Sequence, residues 1–184
     1  MIRFIRKMFT WFTLLFAMAA FGYFVVLPKV LPVKYKEQVE KYANLYDVEQ
    51  SLIYAVIFCE SRFDPNAHSR AGAKGLMQVT PETGWWVASR LDNIDAETMD
   101  LEDPEISIAV GTWYLQWLDE KFHGVQPTVL AAYNAGHGKI SQWLADKSYS
   151  EDGYHLEEIP FPETDTYVKK VEFVQKLYEI CYGM

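Results

Sequence analysis

The sequence predicts an all-α domain behind a single N-terminal transmembrane helix, and three observations carry that prediction. An uncharged stretch over 8–27 follows Arg3, Arg6 and Lys7, and its length is that of a helix crossing a bilayer. Beyond it, apolar residues recur at helical spacing behind cap-and-proline starts. No segment alternates with period two for long, so no convincing sheet is expected.

Each element has its own local reason. Basic residues ahead of the apolar stretch place the N-terminus in the cytoplasm and the chain after Leu27 outside. Ala17-Met18-Ala19 resembles a signal-peptidase site, so a cleaved signal peptide competes with an anchor. The apolar run continues past it through Phe21, Phe24, Val25, Val26 and Leu27, which favours an uncleaved anchor. Pro28 and Pro32 are expected to break the chain into a short, stiff linker. A first helix is predicted over 34–45, with Tyr35, Val39 and Tyr42 at helical spacing. Asp47-Val48-Glu49-Gln50 reads as a capping box opening a helix over 48–61. Its stripe is Val48, Leu52 and Val56, with Ile53 and Ile57 beside it.

Residues 62–80 are rich in Gly, Pro, Asn, Ser and Ala. A loop that long within a compact domain points to function. Thr80-Pro81 and Asp103-Pro104 each read as an N-cap followed by a proline at the first helical position. They open helices reaching about 91 and about 124, separated by a polar loop over 92–102. The second carries Ile106, Ala109, Val110, Trp113 and Trp117 on one face. Trp85 and Trp86 are adjacent and cannot both face inward, so one is expected to be exposed. Pro127 opens a helix that stops at Gly136, and another is predicted over 138–145. Residues 146–162 read as irregular. A last helix over 164–182 buries Val171, Val174, Tyr178 and Cys181. The chain thus divides into 1–27 (cytoplasmic tip and anchor), 28–46 (linker and first helix) and 47–184 (the remaining domain).

Composition narrows the function. Half of the residues are hydrophobic, enough for a sizeable core. From Pro28 on, 14 of the 17 basic residues face all 25 acidic ones, a net charge of −11. Such a surface argues against nucleic acid, which demands basic patches, and fits a largely uncharged partner such as a glycan. Cys59 and Cys181 make no disulfide framework. Cys59 lies in an apolar run and reads as a buried free thiol, with a Cys59–Cys181 bridge as the alternative. His68, His123, His137 and His155 are scattered, with no metal-binding spacing, and no cofactor is implied.

One carboxylate stands out. Glu60 ends the run Leu52-Ile53-Tyr54-Ala55-Val56-Ile57-Phe58-Cys59 and is followed by Ser61-Arg62-Phe63. Desolvation at the end of an apolar helix disfavours the charged form and raises the pKa, as a general acid requires. A lone glutamate there would more often face water. Three further motifs follow in order: Gly75-Leu76-Met77-Gln78, Ala132-Tyr133-Asn134-Ala135-Gly136 and Glu163-Thr164-Asp165-Thr166-Tyr167-Val168.

In these motifs and their order, the stretch 47–182 resembles the lytic transglycosylases of glycoside hydrolase family 23, related to goose-type lysozyme. The resemblance implies a lysozyme-like helical domain over 47–184 with a groove for glycan strands. It implies cleavage of the β-1,4 bond between N-acetylmuramic acid and N-acetylglucosamine in peptidoglycan. Glu60 of Glu60-Ser61 takes the role of acid and base. Ser61, Ser69, Gly75, Met77, Gln78, Tyr133, Asn134, Glu163 and Tyr167 are carried over as substrate-binding. Gly75 brings backbone close to the sugar, Tyr133 points its hydroxyl at Glu60 or the sugar, and Asn134 holds nearby backbone. Glu163 lines the groove and orients substrate or Tyr133. Thr80 stands where many relatives have methionine and is left out of the site.

A single acid suffices if the substrate's own 6-hydroxyl attacks C1, giving a 1,6-anhydro end. Hydrolysis with Asp92 or Asp95 placing a water is a rival reading. A wall-binding module without turnover is another, and an association with envelope machinery stays open.

Overall fold

The computed structural model describes residues 2–92 and 94–184. Asn93, in the predicted 92–102 loop, and the side chains of Arg3, Arg6 and Lys7 lie outside what is described. The chain divides into two units, Met1–Lys34 and Tyr35–Met184.

In the first unit, α1 (Ile2–Phe21) passes into a π-helical turn, Gly22–Val26, and then into α2 (Leu27–Val30). The segment Trp11–Val30 is long and apolar enough to cross a membrane. Pro28 does not break it, contrary to expectation. A proline lacks the N–H that an α-helix needs four residues back. Here the π-turn shifts the bonding first, with the Leu27 N–H reaching the Gly22 carbonyl, and Pro28 falls in the first turn of α2. That is the place where a missing donor costs nothing.

The second unit is helical: α3 (Lys36–Tyr46), α4 (Gln50–Glu60), α5 (Pro81–Ala88), α6 (Pro104–Lys121), α7 (Gln126–Ala135), α8 (His137–Ala145) and α9 (Pro162–Tyr182). Among the described residues there is no strand, and isolated bridges pair His68 with Lys74 and Lys74 with Val79. Its compact body begins at Tyr35, so α3 packs as part of this unit, against α6 and α4.

Helix α4 is the centre. Ile53, Tyr54, Ala55, Val56 and Ile57 are fully buried in succession. A helix apolar all round is one surrounded by protein. Helix α9 lies along it, α7 packs on α9, and α6 backs α3, α5 and α7. The cap-and-proline starts hold: Thr80 accepts from the Thr83 N–H, and Asp103 from those of Glu105 and Ile106. The capping box does not. Asp47 takes a left-handed conformation at the end of α3, where its N–H and that of Val48 both reach the Ala43 carbonyl. This is the closure a helix C-terminus uses, and aspartate tolerates it. Asp47 therefore stops one helix instead of starting the next, and α4 begins at Gln50 without a side-chain cap.

The predicted face of α6 is also redrawn. Ile106, Trp113 and Trp117 are half-buried, while Tyr114, Leu115 and Leu118 are buried. Neighbours on several sides bury the middle of α6 broadly, and its tryptophans turn to α5. There Trp86 meets them while Trp85 is exposed. Both cysteines are free and half-buried.

The loop over 62–80 is pinned to this frame. Gly75 is buried at φ +76, and a Cβ there would stand 1.8 Å from the Leu101 carbonyl oxygen. Glycine is required for a close approach to Leu101. Gly111 on α6 does the same for Met77, whose sulfur would lie 2.5 Å from an added Cβ.

Gly75→Ala is therefore expected to cost about 3 kcal/mol or more by chemical denaturation, because backbone must move. Gly72, at φ +83 with open space around it, separates strain from clash: Gly72→Ala is expected to cost only about 1 kcal/mol.

Candidate active site

Glu60 is the last residue of α4. The helix buries its apolar sides so completely that the carboxyl is carried into protein with it. Desolvation is the largest influence on it and pushes its pKa up from 4.5 to about 7, against the opposing pulls of Tyr167 and Lys170. A helix C-terminus, with its partial negative charge, acts in the same direction as the burial. The carboxyl thus holds a proton near neutral pH.

Two phenols attend it. The Tyr167 hydroxyl, from the second turn of α9, faces Glu60 in a loose hydrogen bond that falls short of full geometry. Burial and then the Glu60 charge raise the Tyr167 pKa well above the ordinary value, so it stays a donor. Tyr133 on α7 feels the same charge. However, its hydroxyl donates to the Met77 carbonyl at 2.8 Å, because the loop at 75–78 folds over it. Tyr167, and not Tyr133, is the phenol that pulls the Glu60 pKa down, although its hydroxyl makes no hydrogen bond of full geometry.

The other motif residues largely hold one another. Ser61 donates to the Leu76 carbonyl at 2.8 Å, tying the end of α4 to the loop. Gln78 sits at φ +49 and commits its amide protons to the Ala67 and Gly75 carbonyls at 2.8 and 3.0 Å. Its amide oxygen remains to accept. The Met77 side chain is sealed in the core, leaving its carbonyl as its contribution. Ser69 is exposed and accepts from the Ala73 N–H at 3.0 Å. Asn134 holds no backbone; its side-chain oxygen accepts from Thr164 at 2.8 Å, joining α7 to α9. Gly75 is buried and approaches the Leu101 carbonyl.

Two depressions share Asn134 and Ala135. One, of about 280 Å³, is lined by Gln78, Thr80, Thr83, Tyr114 and Tyr133 among others. The other, of about 390 Å³, is lined by Phe161, Glu163 and Thr164. Together they form a groove over α7. Glu163 lies exposed in the second depression, and Tyr133 lines the first.

Several residues of the site escaped the sequence reading. Tyr114 lines the groove with its pKa raised to about 12 by burial; its helical spacing reads as core. Ser107 receives the Met77 N–H at 3.2 Å. Thr80 caps α5 and also lines the groove. Lys170 reaches the Cys59 carbonyl at 3.5 Å and acts on Glu60. It lies three residues after Tyr167, one turn along the same helix, and that spacing was the available signal. Among the described residues, no cluster of three histidine, cysteine or acidic side chains stands ready for a metal.

Fold and site together define a helical domain with one proton-holding carboxyl and, along α7, a groove whose lining includes Tyr133 but not Glu60. The chain belongs to the Transglycosylase SLT domain family, whose pattern matches residues 37–155. The soluble lytic murein transglycosylase of Salmonella typhimurium is 35% identical over 159 residues, covering 85% of this chain and 25% of that protein. Membrane-bound lytic murein transglycosylase C of Edwardsiella ictaluri is 33% identical over 174 residues, covering 79% of this chain and 46% of that protein. The chain thus spans about a quarter of the soluble relatives and under half of the membrane-bound ones.

Among solved structures, an inactive glutamate-to-glutamine mutant of the lytic transglycosylase Slt of Pseudomonas aeruginosa superposes with a TM-score of 0.74. It is 30% identical, over 97% of this chain and 29% of that one. A 70-kDa soluble lytic transglycosylase in complex with bulgecin A gives 0.74 and 30%, over 86% of this chain and 26% of that one. The lysozyme-like helical fold is thereby shown.

Burial of Glu60 makes folding pH-dependent in a defined direction. Below its unfolded value near 4.5, both states hold the proton and burial costs nothing. Between there and about 7, the unfolded chain releases the proton and the folded one keeps it, so stability falls as pH rises. Above about 7 the cost is complete. Glu60→Gln is expected to match the parent protein near pH 4 and to be more stable at pH 8, by up to about 3 kcal/mol, in chemical denaturation at the two pH values.

Proposed function

We propose that this chain is a membrane-anchored peptidoglycan lytic transglycosylase that leaves a 1,6-anhydro-muramic acid end. The observation that carries the reading is Glu60: one half-buried, desolvated carboxyl with a pKa of about 7, attended by phenols. The groups acting on it are Tyr167 and Lys170, and no carboxylate is among them. Ordinary glycosidases need a second carboxylate as nucleophile or base. Asp92 and Asp95, the acids a hydrolase would use, are exposed, and Asp95 is occupied in its own turn with Glu97 and Thr98. A relative of known structure is inactivated by one glutamate-to-glutamine change, which fits single-acid chemistry.

The steps balance without water. Protonated Glu60 gives its proton to the glycosidic oxygen as the C1–O bond breaks, and N-acetylglucosamine leaves with a 4-hydroxyl. The muramic acid 6-hydroxyl bonds to C1, and its proton passes to the Glu60 carboxylate, which restores the acid. Tyr167 donates toward Glu60 while it is charged. Tyr133 and Ser61 hold the loop whose Gln78 oxygen faces the groove. Ser69, Asn134 and Glu163 line the strand's path, with Gly75 and Met77 shaping the loop beneath it.

In this reading residues 1–27 anchor the chain by one pass, with the N-terminus cytoplasmic and the domain on the outer face. The segment ahead of Tyr35 joins the anchor to the transglycosylase domain, of which α3 is a packed part. The apolar helix and the membrane-bound relatives support the anchor.

The test is mass spectrometry of purified peptidoglycan digested with the full chain in detergent micelles, beside Glu60→Gln. Fragments ending in 1,6-anhydro-muramic acid, absent with Glu60→Gln, are expected; reducing ends carrying an added water would make the protein a hydrolase. A pH series adds a second check. Turnover is expected to fall as pH rises through about 7, as Glu60 loses its proton. Tyr167→Phe, which removes a group holding that pKa down, should move the fall to higher pH.

A further inference from the structure

Tyr114 is where the groove meets a second group of rings. It lies against Tyr133 with 5.6 Å between centroids. On its other side stand Trp117 at 6.0 Å, nearly parallel, and Trp86 at 6.1 Å, edge-on. The exposed His137, the residue after the Ala132–Gly136 motif, brings its Nδ1 to 3.4 Å from the Tyr114 hydroxyl and packs on both Trp86 and Trp117. Trp113 adds an edge contact to Trp86.

These indoles are only half-buried. Packing α5 on α6 does not require that, since an indole left partly in water forfeits part of its burial gain. Their cover is cationic, with Arg90 held by the Trp86 carbonyl and the Ser89 hydroxyl. The Arg90 guanidinium lies 3.9 Å from the Trp86 ring centre and the Lys121 ammonium 5.4 Å from that of Trp117. Neither cation has a carboxylate partner among the described residues.

We propose that this ring patch is a sugar-stacking subsite that extends the groove away from Glu60 and takes a further sugar residue of the strand. The inference rests on the glycan-cleaving reading above. A pyranose ring offers one apolar C–H face with hydroxyls around its rim. An indole face at the surface matches the apolar face and leaves the rim to water. Continuity selects this occupant, because the chain of rings runs from Tyr133, beside Glu60, through Tyr114 to Trp117 and Trp86. Tyr114 itself is buried, and the exposed link is His137, which follows the groove-lining Gly136 and packs on both Trp86 and Trp117.

The test uses the full chain carrying Glu60→Gln in detergent micelles, titrated with N-acetylglucosamine oligomers of increasing length. Indole N–H resonances of Trp86 and Trp117 are expected to shift with the long oligomers and not with the shortest. Trp86→Ala and His137→Ala should each weaken the longest oligomer roughly ten-fold and leave the shortest unchanged. Trp85→Ala, exposed and outside the patch, should change neither. His137 is exposed, so its truncation probes the patch without touching the core. Long oligomers that bind with Trp86 and Trp117 unmoved, or that lose no affinity in either patch variant, overturn the subsite while leaving the glycan reading standing. Binding of no oligomer at all overturns the glycan reading, and the subsite with it.

Discussion

The structure turns on one desolvated carboxyl. Glu60 is chemically useful because α4 is enclosed by α9 and its neighbours. A glutamate on a solvated helix would be ionised at neutral pH, with no proton to give. Here burial holds the proton, and the same burial makes the ionised form costly to fold. Proton retention and lost stability are two readings of one free energy.

Around that carboxyl, polar side chains serve mostly as ties. Ser61 fastens the loop to α4, Ser107 takes the Met77 N–H and Tyr133 its carbonyl, Gln78 closes the loop on itself, and Asn134 links α7 to α9. Buried backbone groups need such partners. A 19-residue segment from 62 to 80 without regular structure would otherwise be mobile. Gly75 and Gly111 complete the arrangement by letting backbone and Met77 approach closely. The loop is rigid enough to serve as a groove wall because its donors and acceptors are spent internally.

The groove continues into aromatic surface on one side and into the Phe161–Glu163 depression on the other. The first arises from how α5 meets α6: Thr80 and Asp103 cap the two helices, and the register that follows turns Trp86 toward Trp113 and Trp117. At the N-terminus a π-turn solves a different problem, carrying the apolar helix through Pro28 to Val30.

The sequence by itself determined the helical class, the apolar segment, both cap-and-proline starts and the raised pKa of Glu60. These follow from periodicity, local capping chemistry and composition, which act between near neighbours in the chain. Only the tertiary structure decided which partner each polar group takes. Asp47 could start a helix or stop one, and the Ala43 carbonyl settled it. Tyr133 could address Glu60 or the loop, and the fold of 75–78 over α7 settled that. The tryptophans of α6 sit at core spacing, but the position of α5 brings them to the surface as a patch. Such choices depend on groups far apart in sequence that compete for the same donor, acceptor or apolar face, and that competition is resolved only once the helices have packed.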